Sequence, residues 1–209
     1  MTTSDHAVSP PLAPPVAPMP PLLRSICFGV DRLNQAVGKL IGWLILVLTL
    51  VTSYDIVARK FFSAPLRWSY DVSYILYGTL FMMAGAYTLS RNAHVRGDMF
   101  YSRFTPRKQA IFDLVLYVCF FYPGVIALVY SGYDYAFRSM VIGERSAVMA
   151  NGIYIWPFKF VIPISGAFML LQGVVETIRC IECVRTGEWP KRLADTEETE
   201  TRLAQETQL

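Results

Sequence analysis

The amino-acid sequence predicts an all-α integral membrane protein with four transmembrane helices and an N-terminal interfacial amphipathic helix. The observations behind this prediction are four long apolar stretches, a composition that is 54% hydrophobic and 14% aromatic, and an uneven distribution of Lys and Arg. A hydrocarbon core of roughly 30 Å is crossed by about 20 residues of helix. The four stretches approach that length and have no continuous polar side, which distinguishes them from the helices of a soluble bundle.

The four predicted spans cover about residues 40–58, 72–90, 112–133 and 156–178, inside a membrane domain of residues 40–182. Four spans, three short connections and two tails account for the 209 residues, so we expect no separate soluble domain. Any catalytic or sensory module is therefore expected to belong to another chain.

The segments outside the membrane domain differ sharply in composition. Residues 1–21 form a proline-rich leader that is expected to be disordered, because closely spaced prolines favour extended polyproline II. Residues 22–39 are predicted to form an amphipathic helix at the cytoplasmic interface, or to pack on a partner. Their apolar residues, followed by one more at the start of the first span, recur at steps of three and four: Leu22, Ile26, Val30, Leu33, Val37 and Leu40. Residues 183–209 form an acidic cytoplasmic tail with few hydrophobic residues, and much of it is expected to be disordered.

Lys and Arg predict the orientation of the spans, because cytoplasmic loops near the membrane carry the positive excess. The N-terminal side, the second loop and the C-terminal side hold 13 of the 19 basic residues, and the first and third loops hold six. We therefore expect a multi-pass protein of the bacterial inner membrane with both termini cytoplasmic. Anionic lipid headgroups account for the net charge of +3, so no nucleic-acid partner is implied.

Glycines and prolines predict where helices pack closely and where they bend. Two glycines lie seven residues apart in the second span and two in the fourth, a spacing that suits left-handed helix packing. These helix-packing candidates are Gly78, Gly85, Gly166 and Gly173. Pro123 in the third span and Pro163 in the fourth are expected to loosen or kink the backbone hydrogen-bond ladder.

Histidine and cysteine limit the chemistry available to the chain. The two histidines, His6 and His94, lie outside the spans, which excludes a bis-histidine haem between transmembrane helices. Cys180 and Cys183 form a C-x-x-C motif of the kind that four-helix membrane thiol oxidoreductases use. The charge distribution places this pair on the reducing cytoplasmic side. We expect no enzyme activity, no cofactor and no metal site, and thiol oxidoreductase remains an alternative.

A small autonomous antiporter is a second alternative. Such a transporter needs ionisable groups deep in the bilayer, where they bind an ion or substrate. The candidate charges here lie near the ends of the spans, within reach of the headgroups: Asp55, Asp113, Lys159 and Glu176. The uncharged middle of each span favours a supporting role over transport by this chain alone.

The most specific local sequence follows the second span. It reads Tyr87-Thr-Leu-Ser-Arg91-Asn-Ala-His94-Val-Arg96-Gly-Asp98, and Trp68-Ser-Tyr-Asp71 stands at the other end of the same span. Together with the spacing of the four helices, from about Leu40 to Glu182, these stretches resemble the small, DctQ-type membrane subunit of tripartite ATP-independent periplasmic (TRAP) transporters. The carboxylate after Trp68 departs from the expected pattern, because Asp71 stands where that family is expected to have Glu.

The resemblance implies a three-part uptake system. A periplasmic binding protein transiently delivers an organic acid, and a large multi-span membrane subunit moves it inward with sodium by an elevator mechanism. The small subunit would enlarge the fixed scaffold of that elevator. Its partners would then be the large subunit, the binding protein and membrane lipids, while the transported solute, the ion stoichiometry and the oligomeric state stay open.

Eight residues are candidates for contact with a partner or with lipid: Trp68, Asp71, Arg91, His94, Arg96, Asp98, Glu144 and Arg145. Those from position 91 to 98 follow the cytoplasmic end of a helix, where cations interact with exposed carbonyl groups. Asp71 is expected to pair with Arg59 or Arg67 and so fix the first loop. Glu144 and Arg145 are expected in a connecting loop on the outer face, within reach of an incoming binding protein.

Overall fold

The structure, a computed structural model, describes residues 19–91, 104–147, 152–190 and 192. These residues form six α-helices and a π-helical segment, Tyr117–Phe121, between the fourth and fifth helices. The α-helices are α1 (Pro21–Gly42), α2 (Leu44–Phe62), α3 (Ser69–Ser90), α4 (Pro106–Leu116), α5 (Tyr122–Val141) and α6 (Trp156–Thr186).

Among the described residues, four helical stretches are long and apolar enough to cross a membrane: Pro21–Phe62, Ser69–Ser90, Pro106–Val141 and Trp156–Thr186. The predicted all-α membrane fold with four spans is therefore confirmed. Three of the helical stretches extend well beyond the predicted spans, because the helix continues past the apolar residues. The 31 residues of α6, for example, form a helix of about 46 Å, well beyond the thickness of the hydrocarbon core.

Helix α6 is the central element of the bundle and packs against α1, α3, α4 and α5. At five described glycines in these contacts, a Cβ atom would lie within 3.2 Å of a side chain of a neighbouring helical segment: Gly78, Gly85, Gly132, Gly166 and Gly173. A Cβ atom on Gly78 of α3 would lie 2.5 Å from Cζ of Phe158, and one on Gly166 of α6 would lie 2.6 Å from Cγ2 of Val129. Gly173 of α6 lies against the ring of Phe121 in the π-helical segment.

Proline shapes the third and fourth spans in different ways. Pro123 lies in the first turn of α5, directly after the π-helical segment that interrupts the third span. Because proline has no backbone N–H and its ring crowds the carbonyl four residues before it, the wider π turn relieves that crowding. The expected local disruption at Pro123 is therefore confirmed. Pro163 lies inside α6, where it faces Gly132 of α5.

The N-terminal helix α1 packs with its polar side inward. Asp31, Asn34 and Gln35 are buried against the bundle. The exposed surface of α1 contains an apolar stripe of Leu22, Ile26, Gly29, Leu33, Ala36 and Leu40, here called the outer stripe, with exposed Arg24, Arg32 and Lys39 beside it. An interfacial helix exposes its polar side to water, whereas in α1 the side that contains Asp31, Asn34 and Gln35 contacts protein.

Candidate functional site

A cluster of polar and charged side chains lies buried between α1, α6 and the segment after α6. It is called the inner cluster and consists of Asp31, Asn34, Gln172, Glu176, Arg179 and Arg192. Asp31 and Gln172 are completely inaccessible to solvent. Buried polar groups are stable only when they are hydrogen-bonded, and buried charges only when they are paired.

Gln172 joins the two helices at the centre of the inner cluster. Its side-chain oxygen accepts a hydrogen bond of 2.7 Å from Asn34, and its amide nitrogen donates one of 2.9 Å to Asp31. The same nitrogen lies 3.2 Å from a carboxylate oxygen of Glu176, one turn further along α6. A single amide therefore connects α1 to the acidic side chains of the cluster.

The charges of the inner cluster neutralise one another. The guanidinium of Arg179 donates to both carboxylate oxygens of Asp31 and, at 2.6 Å, to Glu176. Arg192 donates to the other oxygen of Glu176 at 2.9 Å. Two carboxylates thus face two guanidinium groups, an arrangement with charge-assisted hydrogen bonds and no net charge. This geometry fixes α1 and the segment after α6 to the bundle.

Sequence reasoning missed this cluster, although part of its signal was readable. Gln172, Glu176 and Arg179 recur at steps of four and three residues, which places them on one face of α6. These polar residues lie on one face of a mostly apolar helix, which indicates that this face contacts protein. The partners Asp31 and Arg192 lie far away in the chain, so the sequence contains no local pattern that pairs them with α6.

At the opposite end of the bundle, Asp71 connects α3 to the loop between α5 and α6. It is buried, and its carboxylate accepts a hydrogen bond of 2.6 Å from Ser146. We expected Asp71 to form an ion pair with Arg59 or Arg67. For Arg59 this expectation was wrong, because Arg59 forms an ion pair with Asp55 at 2.6 Å. Asp55 also accepts a hydrogen bond from the backbone of Leu66, and in this way fixes the first loop itself.

The loop between α5 and α6 is held by Glu144. Its carboxylate forms an ion pair of 2.5 Å with Lys159, and the ammonium group of Lys159 lies 3.9 Å from the ring centroid of Tyr135. The hydrogen bond from Lys159 holds the pKa of Glu144 below its usual value. The carboxylate therefore stays ionised to lower pH than a free glutamate.

Arg145 and Tyr154 stabilise the same loop from its exposed side. Their backbones form an antiparallel bridge, and the guanidinium of Arg145 donates a hydrogen bond of 2.7 Å to the hydroxyl of Tyr154. The guanidinium also lies 4.2 Å from the centroid of the tyrosine ring. Loop residues Glu144 and Arg145 thus have defined intramolecular partners on an accessible surface.

The remaining contact candidates lie at the two ends of α3. Trp68 directly precedes the helix and is partly exposed, and Arg91 directly follows it, with its guanidinium 5.8 Å from the ring centroid of Tyr87. His94, Arg96 and Asp98 lie outside the described residues.

The charges that were expected to reach the headgroups are buried instead. Asp55, Asp113, Lys159 and Glu176 are each no more than 9% exposed. Three of them form the ion pairs given above, which explains how they remain charged at the ends of the spans. Their side chains stabilise helix ends and helix contacts.

Cys180 and Cys183 pack as ordinary core residues. Both have free thiols and are essentially inaccessible, and the thiol of Cys183 lies 3.5 Å from the carbonyl oxygen of Pro106. Catalytic dithiols need access to their substrates, so this burial disfavours the thiol oxidoreductase alternative. Within the described ranges, no group of three or more His, Cys, Asp or Glu side chains is arranged to hold a metal ion.

A family model identifies what the chain resembles. Residues 48–183 match the family described as "Tripartite ATP-independent periplasmic transporters, DctQ component". The match begins within α2 and ends near the end of α6, and it includes Gln172, Glu176 and Arg179 of the inner cluster. No curated protein matches the chain.

Proposed function

Because the chain belongs to the family of DctQ components of TRAP transporters, we propose that it is the scaffold subunit of a sodium-coupled importer of an organic acid. In this proposal the small membrane subunit works with a large membrane subunit and a periplasmic binding protein. The binding protein delivers the solute, and the large subunit carries it inward by an elevator movement. The present chain enlarges the stationary part against which the moving domain slides.

The observation that supports this role is the closed interior of the bundle. The charges of the inner cluster pair with one another, and the spans contact each other through glycines. A transporter that works alone needs polar groups that exchange partners with an ion or substrate. Here the polar groups join helices to each other, as expected of a structural element.

We further propose that the chain lies in the bacterial inner membrane with both termini in the cytoplasm. Four spans return the chain to its starting side, and the positive excess lies on the side of the termini. The inner cluster is then near the cytoplasmic surface, and the Asp71–Ser146 pair is near the periplasmic surface.

Seven of the eight candidates keep their proposed roles in contacts with a partner or with lipid, whereas Asp71 is buried and is proposed to hold the loop through Ser146. Trp68, Glu144 and Arg145 lie at the periplasmic end, where the binding protein docks in this proposal. Arg91 lies at the cytoplasmic end in this proposal. His94, Arg96 and Asp98 follow Arg91 in the chain, so the proposal assigns them to the same side of the membrane.

Reconstitution of the transporter into proteoliposomes tests the proposal. A thermal-shift screen of the cognate binding protein against small carboxylates first identifies the solute. Uptake of that radiolabelled solute is then measured under an inward sodium gradient, with the binding protein outside the vesicles.

We expect uptake with both membrane subunits, background uptake with this chain alone, and strongly reduced uptake with the large subunit alone. Uptake by this chain alone would support the autonomous antiporter and contradict the proposal. Full uptake by the large subunit alone would contradict the proposal that this chain is a required scaffold subunit.

A further inference from the structure

We propose that α1 is a binding surface for anionic lipid, with the outer stripe against the acyl chains and Arg32 and Lys39 at the headgroups. The inference does not depend on the proposed transport role. It rests on the length of α2, on the contacts that fix α1 to the bundle, and on the order of apolar, basic and polar residues around α1.

Helix α2 is long enough to cross the membrane without α1. The 19 residues Leu44–Phe62 form about 28 Å of helix, close to the hydrocarbon thickness of roughly 30 Å. Exposed aromatic side chains lie at both ends, with Trp43 at one end and Phe61 and Phe62 at the other. Aromatic residues in such positions mark the two membrane–water interfaces. The 22 residues of α1 therefore meet the membrane surface next to Trp43.

Contacts with the bundle hold α1 along this membrane surface. Gly38 lies against the ring of Tyr87 at the end of α3. Further towards the N-terminus, Asn34 and Asp31 form hydrogen bonds with Gln172 of α6. Helix α1 thus crosses from α3 to α6 and does not extend freely from α2 into water. Its exposed side is kept at the membrane surface.

The residues around α1 form three sectors, because residues three and four apart share a side of a helix. The sector with Asp31, Asn34 and Gln35 is buried against protein. The opposite sector is apolar and consists of the outer stripe with three half-buried residues beside it: Leu23, Val30 and Val37. Exposed Arg32 and Lys39 form the third sector. A helix that lies at a membrane surface beside its own bundle meets protein, acyl chains and headgroups, and the three sectors match these environments.

The apolar sector favours acyl chains over a single partner helix. One partner helix covers the narrow seam of a coiled coil, whereas this sector includes Val30 and Val37 beside the outer stripe. The stripe also continues through Leu40 and Trp43 into α2, a span in which Asp55 and Ala58 are the buried residues. In a membrane, lipid covers the exposed apolar side chains of such a span. The outer stripe is therefore continuous with a surface that faces lipid.

The charges of α1 favour anionic headgroups over zwitterionic ones. The exposed charges are all basic: Arg24, Arg32 and Lys39. The one acidic residue of α1, Asp31, is buried and paired with Arg179. Basic residues beside an apolar face are attracted to anionic lipid, and burial of the apolar face adds to the attraction. A zwitterionic membrane would cover the stripe but give the basic sector no net opposite charge.

Fluorescence quenching at matched positions of α1 tests the membrane contact. Exposed Cys119 is replaced by Ser, and Leu33→Cys in the outer stripe or Arg32→Cys in the basic sector carries an environment-sensitive dye. The full chain is reconstituted into vesicles of phosphatidylcholine and phosphatidylglycerol. We expect a nitroxide on the acyl chain to quench the dye at position 33, and aqueous iodide to quench the dye at position 32.

Moving the nitroxide between the two lipids tests the headgroup. At equal mole fraction, labelled phosphatidylglycerol should quench the dye at position 33 about twofold more strongly than labelled phosphatidylcholine. Arg32→Gln together with Lys39→Gln should abolish that difference. Ile126→Cys, at an exposed apolar position of α5, is the control and should show no difference between the lipids.

Three results would overturn the proposal. Quenching of position 33 by iodide but not by lipid would exclude the membrane contact, and equal quenching by the two lipids would exclude the preference for anionic headgroups. Loss of lipid quenching when the large membrane subunit is added would show that a protein helix covers the stripe. If elution volume and melting temperature show that Leu33→Cys does not fold, Ile26→Cys in the same stripe takes its place.

Discussion

The guanidinium of Arg179 donates hydrogen bonds to both carboxylate oxygens of Asp31, a residue 148 positions earlier in the chain. Neither side chain is more than 2% exposed. The pair joins the first helix to the last and determines which side of α1 faces outward. The orientation of the outer stripe therefore depends on this ion pair.

Asp31→Asn is expected to destabilise the protein strongly. The substitution keeps the shape of the side chain but leaves the positive charge of Arg179 with less compensation, and breaking a buried ion pair in this way costs about 3–5 kcal/mol. Thermal unfolding in detergent, followed by tryptophan fluorescence, measures the effect. The control is Asp134→Asn, which removes a 2.9 Å pair with Arg138 that is largely exposed. That change should stay within about 1 kcal/mol, and equal effects of the two substitutions would contradict the role of the inner cluster.

Gly173→Ala is expected to loosen the contact between α6 and the π-helical segment. A methyl group there would overlap the ring of Phe121, and overpacking of this kind costs about 1–3 kcal/mol. Gly124→Ala is the matched control, because a Cβ atom there meets nothing within 4 Å. The melting temperature should fall for Gly173→Ala. It should stay level or rise for Gly124→Ala, since alanine has a higher helix propensity than glycine. A stable Gly173→Ala variant would show that this contact is not tightly packed.

Glu144→Gln is expected to destabilise the outer loop in a pH-dependent way. It leaves the ammonium group of Lys159, 7% exposed, without its carboxylate partner, at a cost of about 1–3 kcal/mol. Because the pKa of Glu144 is lowered in the folded state, its contribution is complete above the usual value near 4.5 and is lost as the pH falls below it. Melting temperatures of the two proteins should therefore differ at neutral pH and converge in acid. A difference that grows as the pH falls would contradict the ion pair.

Replacing Cys180 and Cys183 together by Ala is expected to leave uptake by the reconstituted transporter unchanged. The thiols are buried in the contact between α6 and α4, so the change should lower only the melting temperature. The double variant is compared with the unaltered chain under oxidising and reducing conditions. Loss of uptake without loss of folding would revive a redox role for the motif.

The spans could be predicted because their signals are local. Long apolar stretches determine the number of spans, and Pro123 marks the turn where the third span is interrupted. These features depend on residues close together in the chain, which is the information that periodicity and composition contain.

The orientation of α1 could not be predicted for a physical reason. The alternation of apolar and polar residues predicts two sides of the helix, but it does not say which side meets protein. That choice depends on Arg179 and Gln172, which lie more than 130 residues away. The pairing of Asp71 with Ser146 was missed for the same reason, because the loop that supplies Ser146 is 75 residues from Asp71.

The claim that this chain is a stationary scaffold is tested most directly by locking its helices together. A Cβ atom on Gly132 of α5 would lie 2.8 Å from Cγ2 of Ile162 of α6. The double substitution Gly132→Cys and Ile162→Cys therefore places two thiols, one on each helix, close enough to form a disulfide. The exposed Cys119 is replaced by Ser to prevent competing disulfides. Sodium-driven uptake by the reconstituted transporter is then compared before and after oxidation. The account predicts equal uptake in the locked and reduced states, and loss of uptake that reduction restores would contradict it.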